Sequence, residues 1–254
     1  MNRRAMIMAM ACSAVMGGAT SASAKPFRLS LTGDDFDGET WRTGIRVELS
    51  DDWKTYWRMP GDAGIPPIFA WNGEADHPRV RVLYPLPRRF NDASGETVGY
   101  KHEVVFPVIV KPGEQLTQSL RLEAFFAVCR EICIPVQATA EIGLGTAVRD
   151  PSGSELVEAW MRRVPMAGQF VSSARLDHAA GKPALILSLS RAMRDIFVEV
   201  DGSAYFRAPG FNGDGREATI AIDNISDPAA LRGKSLTLTG DDGASGLEQT
   251  IALS

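Results

Sequence analysis

Apolar and polar positions alternate along most of this chain. Over Thr43 to Leu49, Ile45, Val47 and Leu49 fall on one face and Arg46 and Glu48 on the other, the period-two signature of a half-buried strand. Arg79 to Tyr84, Val104 to Val110 and Leu120 to Val128 read as further strands. Between them lie Pro60-Gly61-Asp62, Asn72-Gly73, Asn91-Asp92 and Pro112-Gly113, residues that favour turns. Short strands with this punctuation predict a sandwich or barrel rather than an α/β fold.

The alternation stops near Gly145. Pro151-Ser152-Gly153-Ser154 opens a segment, Glu155 to Arg163, with helical spacing, in which Leu156, Val157, Trp160 and Met161 share a face. Glu155 and Glu158 stand near its start and Arg162 and Arg163 at its end, as the helix dipole favours, and Pro165 stops it. A single short helix here predicts a connector. Beyond it, Ala184 to Leu189, Ile196 to Val200, Ala218 to Ile222 and Ser235 to Thr239 return to strand patterning and predict a second, small β-sandwich lobe. The fold class expected is all-β, with a first domain over residues 25–147, a linker with a short helix over 148–166, and the second lobe over 167–254.

The amino terminus stands apart from this pattern. Arg3 and Arg4 precede an uncharged apolar run, Ala5 to Met16, and small residues end in Ala22-Ser23-Ala24. That is the layout of a secretory signal peptide cleaved near Ala24. The run is too short to span a bilayer, which takes about 20 residues, and Ala9-Met10-Ala11 makes a poor lipobox for Cys12. Removing residues 1–24 from the 254-residue chain removes two positive charges and takes the net charge from −4 to −6. An acidic, exported, soluble product is expected, without a broad surface for nucleic acid or anionic membranes.

Of the three cysteines, Cys12 leaves with the signal, so the mature chain retains Cys129 and Cys133. In an oxidising compartment such a pair forms a disulfide at least part of the time. A continuous strand would hold them roughly 13 Å apart, against the 4.4–6.8 Å or so that a disulfide tolerates between Cα atoms. The chain must turn, and strand-like sequence on both sides predicts a hairpin with Arg130-Glu131-Ile132 at its tip. A ring this small stabilises a fold by only about 2 kcal/mol, so thiol–disulfide exchange is favoured over a staple. Strand parity groups Cys129 with Arg121 and Glu123 on the more exposed face, and Arg130 beside it is a candidate for stabilising a thiolate. A local structural staple remains open on these residues. So does a Cu(I)-handling module using Cys129 and Cys133 as soft ligands with a methionine such as Met59.

Thr55-Tyr56-Trp57-Arg58-Met59-Pro60-Gly61-Asp62-Ala63-Gly64-Ile65-Pro66-Pro67, followed by Phe69-Ala70-Trp71, Tyr84-Pro85, Gly99-Tyr100, Phe106-Pro107-Val108 and the cysteine segment, resembles the amino-terminal periplasmic domain of the disulfide reductase DsbD family, in particular its suppressor-of-copper-sensitivity, ScsB-like branch. The likeness runs over roughly residues 27 to 145 and implies an immunoglobulin-like fold. It also implies that Cys129 and Cys133 pass two electrons from a membrane donor to thioredoxin-like periplasmic proteins, with no further cofactor. Cys133 would form the mixed disulfide with the client and Cys129 would resolve it. Tyr56 would neighbour the sulfurs. The family shields its disulfide with an aromatic on a short cap loop; the matching stretch is Asn91 to Gly95, with Ala93 at the aromatic position and Phe90 as its substitute. Three residues separate the cysteines, as in the ScsB-like branch, where other members have five. No membrane or thioredoxin domain follows in the sequence, so a separate membrane electron donor is expected.

The remaining chemistry-bearing residues favour plain roles. His77, His102 and His178 lack metal-ligand spacing and read as surface residues. Trp53, Trp57 and Trp71 read as core. Asp34, Asp35 and Asp37 lack the later ligands of a calcium loop and read as a solvated acidic stretch.

Overall fold

The computed structural model describes residues 25–253 except 63, 93–94, 114–118, 146–149, 180 and 226; the side chains of 178 and 179 are likewise outside the described set. The expected signal segment, Ala93 and the side chain of His178 therefore lie outside the described residues.

In the first lobe the strands are β1 (Phe27–Phe36), β2 (Trp41–Leu49), β3 (Lys54–Gly61), β4 (Ile68–Trp71), β5 (Val80–Val82), β6 (Arg88–Asp92), β7 (Gly95–Lys101), β8 (Glu103–Val110), β9 (Ser119–Cys129) and β10 (Cys133–Gly143). They form two sheets, ordered β1-β2-β8-β5 and β10-β9-β3-β7-β6, with β4 also paired to β9. Inward residues of both sheets build one core: Ile45 and Val47 on β2, Val104, Phe106 and Val108 on β8, and Leu120, Leu122, Phe126 and Val128 on β9. Phe106 is its hub, with Phe69, Tyr84 and Tyr100 rings centred 5.3–5.5 Å away in tilted or edge-on contact. All four strands read from the sequence here are present, with ends shifted by one to a few residues.

The helix α1 (Pro151–Met161) starts four residues earlier than its spacing predicts, because Asp150 caps it: the carboxylate accepts from the backbone N–H of Gly153 at 2.9 Å, and Pro151 opens the first turn. The expected match of charges to the dipole does not hold. Glu155 and Glu158 fall beyond the first turn, Arg162 is the C-cap, and the charge at the start is that of Asp150. The helix also packs on the first lobe, placing Val157 and Trp160 in its core.

The second lobe repeats the sandwich plan. Its strands are β11 (Met166–Ala167), β12 (Val171–Ala179), β13 (Lys182–Leu189), β14 (Asp195–Glu199), β15 (Tyr205–Phe206), β16 (Gly210–Phe211), β17 (Glu217–Asp223), β18 (Ser235–Asp241) and β19 (Gly246–Ala252). Sheets β11-β19-β18-β14 and β12-β13-β17-β15, with β16 beside β17, enclose Phe170, Leu185, Leu187, Ile196, Ile220, Leu236 and Leu238. Over the described residues the protein is thus an all-β, two-sandwich fold with one short α-helix.

The lobes meet through charge and aromatic contact. Phe197 of β14 enters the first-lobe core, edge-on to Trp57 at 5.6 Å. Arg89 donates to both carboxylate oxygens of Asp195, at 3.0 and 3.1 Å, and to Glu96 at 2.7 Å. Arg58 bridges Glu199 and Glu248, and Tyr205 donates to Glu96 at 2.5 Å. Arg89 and Arg58 both lie mostly out of water, so these bridges work in a medium that screens them weakly.

Candidate functional site

The cysteine pair sits where the β9–β10 hairpin closes. Cys129 and Cys133 are the first cross-strand partners of an eleven-rung ladder, with Arg130, Glu131 and Ile132 as the connecting tip. This is the hairpin the spacing predicts. β10 is an edge strand, which tolerates Pro135 because its missing N–H faces no neighbour in the ladder. The sulfurs lie 2.9 Å apart as free thiols.

Strand parity misjudges Cys129. It does share the outer face of β9 with Arg121 and Glu123, yet it is 0% exposed, whereas Cys133 is only partly covered. The reason lies in β3. This strand pairs with β9 only at Lys54–Cys129 and Thr55–Val128, after which β4 takes its place along β9. The chain between them folds back over the outer face, and Tyr56, Ala127 and Cys129 form a small satellite cluster closed by Ile65 and Cys133. Gly64 permits that cover: a Cβ there would stand 2.7 Å from Cδ1 of Tyr56. Gly99, the β7 partner of Tyr56, is needed equally, since a Cβ there would lie 2.0 Å from the Thr55 carbonyl oxygen.

Tyr56 is 1% exposed, and its hydroxyl meets the Cys133 sulfur at 2.8 Å. Burial foremost, and then the hydrogen bonds to the two sulfurs, push its pKa far up. The phenol therefore keeps its proton at any working pH, and it is the donor whenever the sulfur is ionised. The Cys129 thiol is also raised, chiefly by burial and by hydrogen bonding with Cys133; the Tyr56 hydroxyl and the charge of Lys54 pull it the other way.

Arg130, which the sequence offered as a thiolate stabiliser, stands at the hairpin tip. It is exposed, and its guanidinium lies 6.0 Å from the Trp53 ring centroid. A cation whose charge pulls the Cys129 thiol down is Lys54, buried and directly across the ladder. Sequence reasoning missed it, although a lysine two residues before Tyr56 in a strand must share the tyrosine's face. Phe90 lies on β6, two strands beyond β3, with Lys101 Nζ 5.1 Å from its ring centroid; it is not in the sulfur cluster. Met59 packs against the main core, apart from that cluster, so the structure does not bring it to the sulfurs. His77 corrects another expectation: it is buried, with Nδ1 accepting from the Arg79 backbone N–H at 3.2 Å. Trp57 and Trp71 are core residues as read, and Trp53 packs at the core's margin.

A sandwich that closes a dithiol in the first rung of an edge hairpin, one sulfur sealed and the other accessible, has the construction of a thiol–disulfide exchange module. Residues 24–143 match the family described as thiol:disulfide interchange protein DsbD, N-terminal, and this domain of the chain belongs to that family. Among solved structures, the N-terminal periplasmic domain of ScsB from Proteus mirabilis is similar over 88% of this chain and 92% of its own, with a TM-score of 0.69 at 23% identity. That likeness spans both lobes and concerns the fold. No curated protein matches the chain. Among the described residues, no helix is long and apolar enough to cross a membrane.

Proposed function

We propose that this protein is a periplasmic electron relay that reduces thioredoxin-like partners through Cys133 and Cys129 and is itself reduced by a membrane electron donor. The observation that carries this reading is the asymmetry of the sulfurs. Only Cys133 offers a surface to an incoming disulfide, and it holds a hydrogen bond from a phenol that stays protonated. Cys133 attacks the partner disulfide and forms the mixed disulfide. Cys129, sealed 2.9 Å behind it, then attacks the Cys133 sulfur, and the partner departs as a dithiol. Ile132 and Ile134, 75% and 41% exposed beside Cys133, add an apolar rim suited to another protein's surface.

The location in the periplasm is supported by the signal-like amino terminus and by the periplasmic origin of the ScsB relative. Incubating Cys129→Ala with a periplasmic extract tests the reading. Mixed disulfides through Cys133 with thioredoxin-like proteins are expected. No adduct, together with a wild-type disulfide of potential below about −300 mV, would identify a structural staple instead.

A further inference from the structure

Lys54 is 2% exposed, which is unusual for an ammonium group, since taking an ion out of water costs several kcal/mol unless it is well paired. Its Nζ donates to Asp92 Oδ2 at 2.6 Å and to Thr97 Oγ1 at 2.8 Å. Those partners account for its burial but not for its position. Its backbone is the direct partner of Cys129 in the β3–β9 ladder. Its Nζ lies 5.9 Å from the ring centroid of Tyr56, the residue that touches Cys133.

The other charged groups around the pair are in water. Arg130 and Glu131 occupy the exposed hairpin tip, and Lys101, across β7 from Lys54, is exposed with its Nζ over Phe90. Asp92 ends β6 and is partly exposed. Tyr56 is neutral. Lys54 is thus the desolvated cation on the face that carries the sulfurs, where a charge acts through a low dielectric rather than through water.

We propose that Lys54 is a positioning residue for thiol–disulfide exchange: its ammonium stabilises the Cys129 thiolate as that sulfur becomes the attacking group, and Asp92 tunes how much of the charge the sulfur feels. This inference rests on the exchange reading of the site. In the step concerned, the Cys129 thiolate forms a bond to the Cys133 sulfur, and the bond between Cys133 and the partner sulfur breaks. The pair loses two electrons to the partner, which leaves as a thiolate and takes up the proton that Cys129 released.

Reaction of the reduced mature chain, residues 25–254, which carries only these two cysteines, with 5,5′-dithiobis(2-nitrobenzoate) separates the events. A bimolecular burst reports attack by Cys133, and a slower unimolecular release of the second chromophore reports attack by Cys129. Lys54→Met is expected to slow the second phase about tenfold near neutral pH and to move its pH midpoint upward. Asp92→Asn is expected to speed it and move the midpoint downward. The double variant Lys54→Met/Asp92→Asn, which leaves no unpaired charge and so protects folding, is expected to remain slow. An unchanged midpoint in folded Lys54→Met or in the double variant would overturn the proposal, as would equal slowing in Asp92→Asn. Because the probe is a small disulfide, this result does not depend on the partner. Failure of the partner-trapping experiment would count against the relay alone.

Discussion

Replacing Tyr56 by phenylalanine removes one oxygen atom from the site and leaves the ring that Gly64 and Ile65 cover. The lost hydroxyl lies 2.8 Å from the Cys133 sulfur and is protonated throughout the accessible pH range, its pKa having been driven up by burial first and the sulfur hydrogen bonds second. A hydrogen bond to an ionised group contributes about 1.5–3 kcal/mol. Cys133 is partly accessible to water, which replaces some of that, so the low end applies. About 1.4 kcal/mol corresponds to a tenfold smaller thiolate population. The less stabilised thiolate is a better nucleophile, with a Brønsted slope of about 0.4–0.5, and this offsets nearly half of the loss on a logarithmic scale. Net alkylation of Cys133 by iodoacetamide is therefore expected to fall roughly threefold to fourfold near neutral pH. The comparison is Cys129→Ala/Tyr56→Phe with Cys129→Ala, so that one thiol reacts. At a pH high enough to ionise the thiol in both, the order should reverse, the less stabilised thiolate of the variant reacting roughly threefold faster. Equal rates at every pH, or faster reaction without the hydroxyl near neutral pH, would refute the phenol as a donor to the thiolate.

Three further outcomes are expected. Gly99→Ala places a Cβ 2.0 Å from the Thr55 carbonyl oxygen and must push β7 away from β3, costing about 1–3 kcal/mol in a thermal or urea melt. Asp150→Ala removes the cap of α1 and should cost about 1 kcal/mol at neutral pH. The Asp150 carboxyl is held below its usual range mainly by the Gly153 N–H, so its stabilisation is present above the unfolded pKa of about 3.9 and is lost as pH falls through the lowered folded value; variant and wild type should converge in acid. Arg89→Met strands Asp195 and Glu96 between the lobes and should cost about 3–5 kcal/mol by urea denaturation. Asp195 already has a raised pKa, from burial foremost, and losing Arg89 raises it further. A raised carboxyl favours the fold below its unfolded pKa and loses that contribution as pH rises, so the deficit of Arg89→Met should shrink as pH is lowered through the folded value.

The strands legible in the sequence are those buried on one face, where alternation is enforced: Ile45, Val47 and Leu49 face the core because Arg46 and Glu48 must not. The hairpin at the cysteines was legible for a geometric reason, since no straight strand can bring Cys129 to Cys133. What alternation cannot convey is a segment that folds back over an outer face. The chain after Tyr56 does so, and it buries Cys129 on a side that Arg121 and Glu123 mark as solvated. Lys54, which in a sequence looks like any surface lysine, is also hidden, its ammonium held by Asp92 and Thr97. Arg130 was adjacent in the chain but turns to Trp53, whereas Lys54 is distant in the chain and adjacent in the ladder. The two short β-strands near residues 205–211 escape notice because each has only two residues, too few for a period.

The sealed position of Cys129 has a consequence for oxidative damage. A peroxide reaching the pair meets Cys133 and converts it to a sulfenic acid, the one rung of the oxidation ladder from which a thiol neighbour can retrieve it. Cys129, 2.9 Å away and out of the oxidant's reach, condenses with that sulfenic acid, releasing water and leaving a disulfide that any reductant of the pair can reopen. Burial of one sulfur thus makes peroxide damage at the other self-limiting, stopping it short of the irreversible sulfinic state.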